Sequence, residues 1–142
     1  MSDHLAVQVA DSSQARKGIM EPDSEQRPWG RWHVIDAEEG FKIKRSHVNP
    51  GCRLSYQRHE HRSEHWVVIS GVAMCTIDGR VVVAGAGESV DVPLGAKHRL
   101  ANEGAEELVV VEVHRGAYTG EDDIVRLEDD YGRSEPASSQ HT

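Results

Sequence analysis

The sequence predicts an all-β domain of the sandwich, jelly-roll or barrel kind, and three observations carry that prediction. Valine outnumbers leucine 17 to 6, a bias toward the β-branched side chains that suit a pleated surface. The apolar residues fall in short runs broken by Gly, Pro and Asn at roughly ten-residue spacing, the rhythm of many short strands. Within those runs side chains mostly alternate, and a helical spacing of apolar positions is confined to one late segment.

In chain order, residues 1–26 are polar, without period, and read as a mobile arm. Strands are expected at 31–36, 41–48, 53–59, 64–70, 73–77, 80–83, 89–92, 98–101 and 108–115. The breaks between them are Glu39-Gly40, Asn49-Pro50-Gly51, Asp78-Gly79, the Gly85/Gly87 pair, Pro93-Leu94-Gly95 and Asn102-Glu103-Gly104. Asp78-Gly79 is a two-residue hairpin signal, because both central positions of that turn favour positive φ. Ile124 and Leu127, three apart, predict a short C-terminal helix over 121–131. Residues 134–142 are small and polar and read as a disordered tail. The plan is therefore an arm (1–26), one domain (27–133) and a tail (134–142).

The chain carries 16 Lys and Arg against 24 Asp and Glu, a net charge of −8. The excess acid lies at the ends: residues 27–116 carry 12 of each sign. A net-acidic chain without a basic stripe is a poor nucleic-acid ligand. No stretch approaches the roughly 20 apolar residues of a membrane-spanning helix. Cys52 and Cys75 are the only cysteines, too few for a disulfide framework or a thiolate zinc site. The N-terminus lacks the order of a secretory signal, so a cytoplasmic protein is expected.

One cationic patch stands out. Between positions 41 and 63 lie Lys42, Lys44, Arg45, Arg53, Arg58 and Arg62 against one acid, Glu60. Within it Arg53, Ser55, Gln57 and His59 share one face of a strand, with Leu54, Tyr56 and Arg58 on the other. His59, His61, Glu64 and His65 follow within seven residues, and His98 stands beside a Pro-x-Gly turn. A His/Glu cluster joined by a distant His is how separate strands supply three or four ligands to one metal.

The spacing of these residues resembles the cupin superfamily, whose two motifs read G-(x)5-H-x-H-(x)3–4-E-(x)6-G and G-(x)5-P-x-G-(x)2-H-(x)3-N. Gly87, Pro93, Gly95, His98 and Asn102 meet the second at every position. Gly51, Gln57, His59, Glu64 and Gly71 meet the first if Gln57 stands for its first histidine. A rival register takes His59-x-His61 literally, at the cost of seven residues after Gly51 and two before Glu64. The first register is preferred on spacing, and His61 remains the rival ligand. More narrowly, Arg27-Pro28-Trp29-Gly30, Arg53-Leu54-Ser55-Tyr56-Gln57, Arg62-Ser63-Glu64-His65-Trp66 and Gly120-Glu121-Asp122-Asp123-Ile124-Val125-Arg126 resemble the type II mannose-6-phosphate isomerase cupin. In many bacteria that cupin is the C-terminal part of a bifunctional guanylyltransferase/isomerase. Here 142 residues leave no room for the nucleotidyltransferase half, so a free-standing domain is expected.

The resemblance implies a double-stranded β-helix barrel and a metal-dependent interconversion of mannose 6-phosphate and fructose 6-phosphate. It implies one divalent ion, zinc first, with manganese, cobalt, nickel or iron as alternatives, held by Gln57, His59, Glu64 and His98. The phosphate candidates are Lys44, Arg53, Arg62 and Arg99, with Lys42 beside them; surface cations ordinarily do no more than solubilise, which is the competing reading for each. The acid–base candidates are His61, His47 and Glu60. His114 and His33 are read as lying outside the site, Trp29 and Trp32 as core. Cupins of this kind often dimerise through edge strands, and 31–36 is the expected edge. The alternative functions are an iron-dependent cupin oxygenase and a non-catalytic sugar-binding cupin.

Overall fold

The computed structural model describes residues 23–132. Eleven strands form two antiparallel sheets, with no helix among the described residues. They are β1 (Ser24–Arg27), β2 (Gly30–Glu38), β3 (Phe41–Val48), β4 (Tyr56–Arg58), β5 (Arg62–Ser70), β6 (Ala73–Ile77), β7 (Arg80–Ala84), β8 (Ser89–Val92), β9 (His98–Ala101), β10 (Leu108–Gly116) and β11 (Val125–Glu128). One sheet runs β1-β2-β3-β10-β5-β8 and the other β11-β4-β9-β6-β7. Their inner faces meet in a single core, with Trp66 and Val68 from the first against Cys75 and Leu100 from the second. The hairpin at Asp78-Gly79 forms as expected, both residues at positive φ.

Two expectations are corrected. Residues 121–131 form no helix: after a turn, β11 pairs with β4, Val125 opposite Arg58 and Arg126 opposite Gln57. Two apolar residues three apart bury too little to hold an isolated helix, whereas β11 satisfies the otherwise open edge of β4. At the other end, residues 24–26 of the expected arm belong to β1, which pairs with β2 from Ser24 opposite His33 to Arg27 opposite Gly30. Residues 1–22 of the arm, and the tail, lie outside the described residues. The strand expected as a dimer edge is bordered by β3 along one side and, over Gly30–His33, by β1 along the other.

The barrel is apolar at one end and polar at the other, and strand register produces that division. On β3 the inward side chains are Lys42, Lys44, Ser46 and Val48. On β10 they are Leu108, Val110, Glu112 and His114, and on β5 Arg62, Glu64, Trp66 and Val68. Antiparallel pairing sets Val48 opposite Leu108, and Lys44 and Trp66 opposite Glu112. It also sets Lys42 and Glu64 opposite His114. Charged residues therefore gather at one end of the barrel and the valines and Leu108 at the other.

The hinge between β1 and β2 tolerates no side chain. Gly30 has φ +154°, and a Cβ there would lie 1.9 Å from the His47 carbonyl oxygen on β3. The obstacle is backbone inside a paired sheet. Gly30→Ala is expected to cost at least about 3 kcal/mol, read as a fall of about 10 °C or more in the melting temperature. A melting temperature within about 2 °C of the parent would show that β2 can move away from β3 freely.

Candidate metal centre

His59, Glu64 and His98 come together from the end of β4, from β5 and from the start of β9. Their ligand atoms lie within 4.8 Å of one another, and all three are buried. The two imidazoles are held for one task. The Nδ1 of His59 is 2.6 Å from the Asp123 carbonyl oxygen, and the Nδ1 of His98 is 3.0 Å from the Ala96 carbonyl oxygen. A backbone carbonyl only accepts, so each Nδ1 carries the hydrogen and each Nε2 keeps its lone pair for a ligand. Burial pushes the His98 pKa down, which keeps that ring neutral.

Glu64 is fixed at both oxygens. Arg62 Nε donates to Oε2 at 2.8 Å and Trp66 Nε1 donates to Oε1 at 2.7 Å. Burial alone would push the Glu64 carboxyl up; the charges of His114 and Arg62 around it hold it well below the usual carboxylate range. Gln57 sits opposite His98 in the β4–β9 pairing. Its amide nitrogen donates to Ser55 Oγ at 2.9 Å, which leaves the amide oxygen as the atom free to ligate. All four residues line one cavity of about 60 Å3.

His61 lies elsewhere. It borders a separate hollow with Glu60, Tyr118 and Asp122, and its ring meets Tyr118 edge-on at 6.3 Å. The turn that carries it outward is capped by Asp123, whose carboxylate accepts from the Glu60 and His61 backbone N–H groups at 3.0 Å each. Asp123 thus shapes the turn with its side chain and orients His59 with its main chain. Neither role had a signal in the spacing of the motifs.

Behind Glu64 stands a second buried group. His114 Nε2 is 2.8 Å from Glu112 Oε1 and 3.5 Å from Glu64 Oε1, and Ser46 Oγ donates to Glu112 Oε2 at 2.6 Å. His114 is fully buried, so reading it as remote from the site is corrected. Its inward position follows from the β10 register, which puts it directly beside Glu64.

The cationic candidates separate. Lys44 and Arg62 line the cavity. Lys42 and Lys44 both reach Glu121, at 2.6 and 2.9 Å, and Arg62 Nη1 donates to the Gly120 carbonyl at 3.1 Å. Arg53 is on the outer surface, paired with Asp130 at 2.7 Å. Arg99 points away from His98, donating to the Leu54 carbonyl at 2.9 Å and reaching Glu128. The three acid–base candidates are also outside: His61 and Glu60 as described, and His47 on the outer face of β3 with Arg31, Arg45 and Glu107. In exchange, Arg27, Arg126, Glu112 and Glu121 line the cavity. Arg27, Glu121 and Arg126 fall within segments 27–30 and 120–126, so a signal for them was present. Trp29 and Trp32, expected in the core, both pack there and border the cavity.

Comparisons with known proteins show the family and the fold. Residues 15–129 match the family described as mannose-6-phosphate isomerase C-terminal. Mannose-1-phosphate guanylyltransferase ManC of Salmonella typhimurium is 52% identical over 107 residues, covering 75% of this chain and 22% of that protein. Alginate biosynthesis protein AlgA of Pseudomonas aeruginosa is 48% identical over 112 residues, covering 78% and 23%. The chain thus spans less than a quarter of the length of these curated relatives. Among solved structures, a Klebsiella pneumoniae protein with a double-stranded β-helix domain matches with TM-score 0.59 and 25% identity, over 66% of this chain and 80% of that one. KdgF from Halomonas sp. matches with TM-score 0.61 and 14% identity, over 71% and 90%. The fold is the cupin double-stranded β-helix.

Proposed function

The chain belongs to the mannose-6-phosphate isomerase C-terminal family, and from that membership we propose that it interconverts mannose 6-phosphate and fructose 6-phosphate with a divalent metal ion at the His59–Glu64–His98 centre. The observation that carries the reading is the meeting of two kinds of group in one cavity. Two buried imidazoles, each with Nδ1 already committed, and a carboxylate face Lys44, Arg27, Arg62 and Arg126. An aldose–ketose isomerase of a phosphorylated sugar needs both, one for an oxyanion and one for a phosphate.

The donor set fits a borderline divalent ion such as zinc: two imidazole nitrogens, one carboxylate and the Gln57 amide oxygen. Such an ion, when bound, supplies Lewis-acid stabilisation of the negative charge that develops as a proton moves between C1 and C2. The chain's own residues do the rest. Asp123 and Ala96 keep the two imidazoles aimed, and Arg62 and Trp66 keep Glu64 ionised and oriented. Trp32 and Trp66 wall the cavity and limit water. The cations place the phosphate and so fix the position of C1 and C2. The reading brings with it a cytoplasmic setting, where sugar phosphates are made and consumed.

A coupled assay for fructose 6-phosphate, run on protein loaded with zinc and on protein stripped with a chelator, tests this. Turnover of mannose 6-phosphate that is lost on chelation and restored by metal is the expected result. Oxygen uptake with iron would point to an oxygenase, and bound metal without turnover to a sugar-binding cupin. Lys44→Met is expected to lower kcat/KM for mannose 6-phosphate by about ten- to a hundred-fold, the value of one charge-assisted hydrogen bond. Arg53→Met, outside the cavity, is expected to change it by less than about two-fold. Equal losses in both variants would place the phosphate elsewhere.

A further inference from the structure

Two buried ammonium groups and one carboxylate stand at the polar end of the barrel, Lys44 and Glu121 lining the cavity and Lys42 beside them. Lys42 and Lys44 are successive inward side chains of β3, and their Nζ atoms lie 2.6 Å from Oε2 and 2.9 Å from Oε1 of Glu121. The carboxylate therefore spans the lysines with one oxygen on each, as two oxygens of a phosphate monoester would. The lysine side chains are 2% and 9% exposed and that of Glu121 is 19% exposed, so the anion is the member nearest solvent. Burial would push the Glu121 carboxyl up, but Lys44, Lys42 and Arg62 together hold it far below the usual carboxylate range. Arg62 also serves Glu64, and Lys44 also faces Glu112; Glu121 touches the two lysines directly, and a phosphate can make the same pair of contacts.

Space points the same way. The cavity holds about 60 Å3, whereas pockets that take small molecules measure roughly 300–1,000 Å3. Some part of the lining has to yield to a hexose phosphate. Lys42 and Lys44 cannot, because β3 is paired along both edges by β2 and β10. Glu121 can: it stands in the segment between β10 and β11, outside either ladder. Two residues on, Asp123 anchors that segment to His59 and to the 59–61 turn. The Glu121 side chain can therefore swing toward solvent by rotation about its own bonds, leaving the support of His59 in place.

We propose that Glu121 is a resident stand-in for the substrate's phosphate: it occupies the Lys42–Lys44 anion site in the resting protein, and a phosphomonoester dianion displaces it on entry. The sugar attached to that phosphate rests on the function proposed above; the displacement itself does not. Its consequence is selectivity. A neutral hexose offers the lysines no anion in place of the carboxylate, so displacing Glu121 would cost two charge-assisted contacts that the hexose does not replace. A phosphorylated hexose brings its own replacement, so Glu121 acts against the unphosphorylated competitor.

Calorimetric titration of the zinc-loaded full chain with inorganic phosphate, and separately with mannose 6-phosphate, tests the proposal without need of turnover. Glu121→Gln is expected to bind inorganic phosphate about ten-fold tighter than the parent, or about 1.4 kcal/mol. The gain should vanish in the double variant Glu121→Gln/Lys44→Met. Unchanged or weaker phosphate binding by a folded Glu121→Gln protein overturns the proposal, as does a gain that survives loss of Lys44. If Glu121→Gln does not fold, Glu121→Asp, which keeps the charge but draws it back by one methylene, carries the same test with the same two outcomes. A ten-fold gain for inorganic phosphate with none for mannose 6-phosphate supports displacement and overturns the sugar-phosphate reading instead.

Discussion

His98→Ala is expected to leave the protein without its metal and to lower kcat/KM for mannose 6-phosphate by about a thousand-fold or more. Removing one of two imidazoles leaves Glu64, His59 and a neutral amide, a set too weak to retain a divalent ion at ordinary free concentrations. The Lewis-acid contribution lost with the ion is several kcal/mol, and each 1.36 kcal/mol is a factor of ten in rate. The fold should survive, because His98 fills the polar end of the barrel while the core of Trp66, Leu100 and Leu108 lies beyond it. His61→Ala, which alters a ring packed on Tyr118 in a separate hollow, is expected to keep full metal content. Elemental analysis of the two purified variants and of Gln57→Ala decides the matter. Loss of metal in His61→Ala, with Gln57→Ala fully loaded, would establish the literal His59-x-His61 pairing; stoichiometric metal in His98→Ala would show that His98 is not a ligand.

Arg62→Met is expected to lower the melting temperature of metal-free protein by about 10 °C or more at neutral pH. The guanidinium is the buried counter-charge of Glu64 at 2.8 Å, and its other nitrogens reach the Gly120 carbonyl and His59 Nε2. Removing one partner of a buried pair strands the other, at a cost of about 3–5 kcal/mol, and each kcal/mol shifts the melting of a domain this size by several degrees. Glu64 and Arg62 are each about 5% exposed, so water cannot take over the lost interaction. A divalent ion on Glu64 supplies a substitute positive charge. Zinc should therefore raise the melting temperature of Arg62→Met by more than it raises that of the parent. Equal zinc shifts in differential scanning fluorimetry would show that Glu64 does not face the ion.

The strands were legible because their cause is local. Valine-rich alternation and Gly, Pro and Asn breaks predict β3, β6, β8 and β9 at the bounds observed, since pleating and turn conformations are set by neighbouring residues. β1 and β11 were not legible. Ser24–Arg27 and Val125–Glu128 have little apolar pattern of their own and become strands because β2 and β4 offer them open edges. The candidate metal ligands were grouped by spacing, since a period of two along one strand puts Gln57 and His59 on the same face.

What the sequence by itself determined about this protein is the family, the all-β class, and the cluster of His and Glu residues that the fold brings together. Alternation divides each strand into two faces without saying which one is inside. On β3 the apolar choice would have buried Phe41 and Ile43, yet Lys42 and Lys44 point inward, because β10 sets Glu112 and His114 opposite them and Glu121 closes over them. The same long-range register brought His114 beside Glu64, and the segment after β10 brought Asp123 to His59 across 64 residues of chain. It also turned Arg53 and Arg99 outward toward Asp130 and Glu128. Only the tertiary structure decided these, because the energy of a buried charge depends on its partners across the barrel and not on its neighbours along the chain.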